Sequence, residues 1–405
     1  MIKRLGLDQP RNRWFALWIG VLGIVLAYGV FTMIRIFIEG LGITNLTNQV
    51  PWGLWITVDL SSIALSGGAF FLSALVYIAG IKRFMPAARL GVFVGLLGYG
   101  AALCTLLLDI GRPDRFYHPL VFWNTHSMLW EVSMCIVLYF SVLMLEVFPL
   151  VTTLPFFERL PKVRELAHTI HKAAPVLAFL GLFFSLLHQS SLGATYGVIA
   201  ARPIWFRPTM PLMFITSAIF AGPSMVIALG LIVGWIRGRE VVPRDVLFEI
   251  GRIAAVVLLI FLYMRFWDTM AGNYGYVPLR SEAARVLSQG PMSLSFWAWE
   301  IVLGGLVAAG LMLYAFSVRS EAALFVGAGM AVLGLIMNRW HTTMIGFLTP
   351  LSVDPPLAYP LVPTYTPAWA EWAVAVGIVA GIMLVFTLGM RYLPAFDLDA
   401  QADAH

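Results

Sequence analysis

Ten uninterrupted apolar runs govern what this chain can fold into. They lie near residues 14–38, 52–81, 89–109, 126–150, 172–193, 209–236, 246–270, 294–318, 321–345 and 368–391. A helix crosses a bilayer in roughly 20 residues, so each run is long enough to span. Only 12% of the 405 residues are charged and mean hydropathy is +0.86. Soluble domains carry about 25% charged residues, so a soluble class is excluded. The runs are continuous rather than alternating, which excludes a β-barrel. The expected fold class is an all-α polytopic membrane protein of about ten transmembrane helices. Basic residues precede the first run, but no Ala-x-Ala-like cleavage site follows it, so it reads as a retained helix and not a signal peptide.

Orientation follows from the connections. Seventeen of the 26 Lys and Arg fall on one side, among them Lys3, Arg4, Lys82, Arg83, Arg89, Arg159, Lys162, Arg164, Lys172, Arg237, Arg239, Arg244 and Arg319. That side is expected to be cytoplasmic, with both termini on it, in the inner (cytoplasmic) membrane of a bacterial or archaeal cell. The net charge of +5 is accounted for by this bias and implies no nucleic-acid partner. The tail from Asp397 is short and acidic.

An acidic motif occurs twice. Trp130-Glu131 opens one run and Trp299-Glu300 opens another, four runs later. Downstream of the first comes His188-Gln189-Ser190-Ser191-Leu192-Gly193, and downstream of the second His341-Thr342-Thr343-Met344-Ile345-Gly346. An even number of spans separates the copies, so they read as parallel repeats. The expected division is residues 1–51 as N-terminus and first helix, 52–194 as a first four-helix bundle, 195–346 as its copy, and 347–405 as outer loop, last helix and tail. The pairs Gly67-Gly68, Gly98 and Gly100 read as close helix packing.

The polar residues gather at the outer helix ends. The first unit holds Asp59, Asp109, Asn124, His126, Glu131, His188 and Gln189. At 1.5 Å per residue, Asp59 and Glu131 lie one to two turns below the outer surface. Exposure of an acid to lipid is costly, so these groups face the bundle or a cavity. Acids and a histidine at one depth, with aromatic neighbours, can hydrogen-bond the carbonyl oxygens of a flat ring and exchange the protons of its redox change. A quinone fits. Asp59, Glu131 and His188 are the candidates for that proton chemistry, and the other four for binding. Each also has a plainer reading. Asp109 could pair with Arg112 or Arg115, Glu131 could favour a helix N-terminus, and His188 could belong to a polar helix end. The second unit's Arg265, Asp268, Glu300, Arg339 and His341, with Glu371 of the last run, read as an ion-pair network, or as a second proton path.

Other chemistries find little support. His126, His188 and His341 sit near outer helix ends and His168 and His171 in the 151–171 connection, so no opposed pair is placed for a haem. Cys104 and Cys135 are too few for an iron–sulfur cluster, which usually needs four thiolates. Zinc spacing and nucleotide-binding glycine motifs are absent from the sequence.

Several of these motifs resemble those of the NrfD/PsrC family. They are Pro51-Trp52-Gly53-x-Trp55-Ile56-x-x-Asp59-Leu60, Asp109-Ile110-Gly111-Arg112, Asn124-Thr125-His126-Ser127-x-x-Trp130-Glu131 and His188-Gln189-Ser190-Ser191-x-Gly193. Tyr365-Thr-Pro367-Ala-Trp369-Ala-Glu371 is similar to its long, ten-helix subgroup, which includes HybB-, Qrc-, alternative complex III- and DsrP-like subunits. The resemblance covers essentially the whole chain. It implies a haem-free membrane subunit that binds a quinone, menaquinone or ubiquinone, in the first four-helix unit near the outer face. It also implies a periplasm-facing iron–sulfur subunit docked above, with further catalytic or cytochrome subunits, and a hydrogenase-, sulfur- or cytochrome c-linked reaction. A secondary transporter and a simple membrane anchor are the competing classes. Polar groups concentrated at one face, rather than at the midplane, speak against the first. The intramembrane Asp59, Glu131 and His188 speak against the second.

Overall fold

In the computed structural model, residues 10–349 and 364–393 are described. Lys3, Arg4, the acidic tail and most of the last outer connection lie outside them. Among the described residues, ten helices are long and apolar enough to cross a membrane: α1 (Pro10–Glu39), α2 (Leu54–Tyr77), α3 (Met85–Asp109), α4 (Met128–Val151), α5 (Ala174–Gly197), α6 (Met210–Arg237), α7 (Arg244–Tyr274), α8 (Ser295–Val318), α9 (Glu321–Phe347) and α10 (Trp369–Tyr392). The described residues contain no strand. The protein is a multi-pass integral membrane protein, and the sequence places the spans within a few residues. The differences reach four residues, at the starts of α1 and α3 and at the ends of α2, α5 and α7.

Helices are the natural outcome here, because hydrocarbon offers no partner for a free backbone amide. Local signals set several ends. Ser127 caps α4 by accepting from Trp130 N at 3.4 Å, and Ser320 caps α9 by accepting from Ala323 N at 3.3 Å. Gly238 ends α6 in the left-handed region at φ 69°. The first half of α8, Ser295–Val307, winds in the wider π form.

Neighbour contacts close α2, α3, α4 and α5 into one ring and α6, α7, α8 and α9 into another. α1 lies along α10, outside both. The rings meet where α2 crosses α6. There α2 is interrupted at Ser66-Gly67, and a Cβ on Gly222 would stand 1.9 Å from the Gly68 nitrogen. Only hydrogen atoms fit between the backbones at that point, so the crossing fixes how the two rings sit. Gly100, by contrast, faces open space and is not a packing glycine.

Because the chain crosses ten times, the ends segregate. The starts of α2, α4, α6, α8 and α10 share one end with the finishes of α1, α3, α5, α7 and α9. This is the site end. The opposite, basic end carries Lys82, Arg83, Arg159, Lys162, Arg237 and Arg244.

Candidate functional site

The site end of the first ring holds an unusual set of buried, unpaired polar atoms. Asp59 on α2 is 2% exposed and its Oδ1 has no partner. Asp109, the last residue of α3, likewise has an unpaired Oδ1, and it lies within electrostatic range of Asp59. On α5, His188 is fully buried. Its Nδ1 lies 2.9 Å from the Tyr99 hydroxyl, and its Nε2 is unpaired. Gln189 donates from Nε2 to the Ile63 carbonyl at 3.1 Å, which leaves its Oε1 unpaired. The Thr57 and Ser61 hydroxyls of α2 are also unpaired. Buried polar atoms in native proteins are nearly always satisfied, and each exception has a desolvation cost. A run of exceptions on three neighbouring helices, donors and acceptors mixed, describes groups that wait for a polar ligand.

Glu131 stands at the rim. It is half-buried near the start of α4 and accepts a 2.8 Å hydrogen bond from Ser191 on α5. Its helix-start position suits the dipole, and it also joins α4 to α5 beside His188. Asn124 and His126 are not brought into the cluster. Both are exposed on the 110–127 connection, where the Asn124 side chain accepts from His126 N at 3.3 Å. The alternative pairing of Asp109 with Arg112 or Arg115 does not form. Arg112 turns outward to Asp114 at 3.0 Å, and Arg115 faces the same carboxylate at 4.0 Å.

Sequence reasoning missed the tyrosines. Tyr99 and Tyr139 are fully buried, with ring centroids 4.7 Å apart, and the Ser185 hydroxyl lies beside both. Glu146 is within electrostatic range of Tyr139 and lines a cavity of about 360 Å³ at the basic end, with Tyr77, Arg89, Thr153 and His171. Counting from the expected span end at 193 set His188 too shallow to meet Tyr99. With α5 running to Gly197, His188 lies nine residues in and Tyr99 ten residues before the end of α3, so both lie about 14–15 Å in. Above the site, Trp52, Tyr196, Trp205 and Phe347 form an aromatic roof. Trp52 stacks on Trp205 at 6.2 Å and meets Tyr196 edge-on at 5.6 Å. Trp205 packs on Phe347 at 4.9 Å and donates to the Thr342 carbonyl at 2.7 Å.

The second ring pairs its carboxylates, although the Nε atoms of Arg207, Arg280 and Arg339 have no partner. Glu300 accepts from Arg265 at 3.1 Å and from Asn338 at 2.9 Å, and meets His341 Nδ1 at 2.5 Å. Asp268 gathers Arg207 at 2.5 Å, Arg280 at 3.6 Å and Arg265 at 3.8 Å. Arg207 and Arg280 were not foreseen. Arg339 donates to Ser217 and Asn338 and lies 3.9 Å from the Phe214 ring. Glu371, expected in this cluster, is elsewhere: it faces Tyr365, Asn45 and Ala368 and lies within electrostatic range of Asp109.

The model of the family described as polysulphide reductase NrfD matches residues 42–351. The menaquinone reductase integral membrane subunit of Nitratidesulfovibrio vulgaris is 34% identical, over 98% of this chain and 95% of that protein. The Hdr-like menaquinol oxidoreductase integral membrane subunit of Archaeoglobus fulgidus is 25% identical, over 95% and 94%. A probable Ni/Fe-hydrogenase 2 b-type cytochrome subunit of Escherichia coli is 26% identical, over 92% and 91%.

Proposed function

The chain belongs to the polysulphide reductase NrfD family, and on that premise we propose that it is the quinone-binding membrane subunit of a multisubunit iron–sulfur oxidoreductase. It exchanges electrons and protons between the membrane quinone pool and an iron–sulfur partner at the site end, which we take as periplasmic. The observation that carries this reading is the set of unpaired atoms on Asp59, Asp109, His188 and Gln189. In our reading the Tyr99 hydroxyl is the donor in its 2.9 Å contact with His188 Nδ1, which puts the ring proton on Nε2, where it can donate to a quinone carbonyl. Asp59 supplies a group that takes or returns a proton on the same wall, and Glu131 another at the rim. Relatives named for menaquinone and menaquinol chemistry, similar over nearly their whole length, support the substrate class.

Protons need not cross the roof. Tyr99, Ser185, Tyr139 and Glu146 lead from His188 toward the basic-end cavity, and in our reading they feed the site from that side once the unpaired Ser185 hydroxyl turns to bridge the tyrosines.

The test is turnover with a water-soluble menaquinone analogue in the purified complex. Glu131→Gln keeps shape and removes the titrating group. It is expected to slow turnover about ten- to hundredfold, as loss of a general acid–base group does, with the complex still assembled. His188→Ala is expected to weaken inhibitor binding as well. Full activity in Glu131→Gln together with an inactive but intact Glu300→Gln complex would put the site in the other ring.

A further inference from the structure

The start of α2, five residues before Asp59, is capped from the far end of the chain. A helix leaves its first amides without partners, and a side chain just before the helix usually satisfies one. Here that position is Gly53, which has no side chain to offer. The Leu54 amide donates instead to the Tyr365 hydroxyl at 2.9 Å, and that hydroxyl donates in turn to Glu371. Glycine at 53 also makes room for the phenol: a Cβ there would stand 2.1 Å from the Tyr365 oxygen and displace it.

Glu371 is fully buried and held on all sides. Its carboxylate also accepts from Ala368 N at 2.7 Å and Asn45 N at 3.2 Å. Its carbonyl accepts from the Trp55 indole at 3.1 Å. Trp55 and Asp59 are four residues apart on α2, so they lie one above the other on one face. The clasp thus grips the helix at its first turn, directly over the site acid. Asp109 lies within electrostatic range of both Glu371 and Tyr365.

We propose that Tyr365 and Glu371 are positioning residues of the first-ring site. Together they form a phenol–carboxylate clasp that caps α2 and sets the depth and rotation at which Asp59 is presented. This inference rests on the quinone-site reading above. It makes α10, which lies outside both rings, a working part of the site. It also accounts for two motifs more than 300 residues apart, Pro51-Trp52-Gly53 and Tyr365 to Glu371, as the two halves of one device.

The experiment measures binding of a fluorescent hydroxyquinoline N-oxide quinol analogue to the purified complex by fluorescence quenching. Tyr365→Phe removes one oxygen and keeps the ring, so assembly should persist. Affinity is expected to fall about fivefold, the size of a lost helix cap. Gly53→Ala, which pushes the phenol away by an independent route, should fall similarly. Asp59→Asn should lose affinity by itself, and adding Tyr365→Phe to it should cost little more, because the clasp acts through Asp59. Unchanged affinity in Tyr365→Phe beside a weakened Asp59→Asn overturns the clasp alone. So do fully additive losses in the double variant. Unchanged affinity in Asp59→Asn overturns the quinone-site reading itself.

Discussion

His341 Nδ1 lies 2.5 Å from Glu300 Oε2, whereas Glu131 and His188, which occupy the same places in the first copy of the motif, do not pair with each other. Glu131 takes Ser191 and His188 takes Tyr99. The second ring surrounds its acid with Arg265, Asn338 and His341, and Ser295 closes the other ring nitrogen at 2.8 Å. The first ring leaves Asp59 Oδ1 and His188 Nε2 open. One motif therefore serves two ends. Where every partner is supplied by the chain it holds helices together, and where partners are missing it can receive a ligand.

Glu300→Gln should accordingly damage stability before activity. Removing one side of a buried ion pair leaves the other charge uncompensated, at a cost of about 3–5 kcal/mol. A lower yield of assembled complex and a lower melting temperature are expected, with near-normal turnover per assembled complex. A stable complex that is catalytically dead would reverse the roles assigned to the two rings.

The purified chain should carry no haem. His341 is held at both nitrogens by Glu300 and Ser295, and His188 has only Nε2 free. An axial pair would have to break the buried hydrogen bonds of the second ring. A Soret band that stays with the isolated subunit at near-stoichiometric yield would refute this.

The Tyr365 clasp should weaken in alkali. Burial, then the hydrogen bond to Glu371, holds the Tyr365 phenol above the ordinary tyrosine value. The folded chain keeps a proton that the unfolded chain releases above about pH 10. The contribution is therefore complete below that pH and declines as pH rises further. Melting curves of wild type and Tyr365→Phe should show a gap that is constant at neutral pH and narrows above about pH 10. A gap that widens there would contradict the clasp geometry.

The basic end should be cytoplasmic, since 17 of the 26 Lys and Arg belong to that side. A cysteine placed in the 151–171 connection should resist an impermeant thiol reagent in intact cells. Labelling there would invert the topology.

Hydropathy and residue counting alone made the ten spans legible, and with them the helical class, because both are properties of a single segment in hydrocarbon. Depth was legible only for the acids: the rise per residue sets how far Asp59 and Glu131 lie from their helix starts, but His188 lies deeper than its expected place near the end of the span, because α5 runs on to Gly197. Asn124 and His126 fell outside the cluster because they belong to a connection, where no helical rise fixes position. Rotation about each helix axis and choice of partner were not readable. Those depend on how distant helices press together, as where Gly68 meets Gly222, and on which side chain arrives first at an open acid. Sequence placed Glu371 with the arginines of the second ring by depth alone. The fold sent it to Gly53 and Tyr365, because α10 packs against α2 and α3 rather than beside α7. Which acids are neutralised and which remain available is thus a tertiary decision, taken where helices far apart in sequence come close enough to share a hydrogen bond.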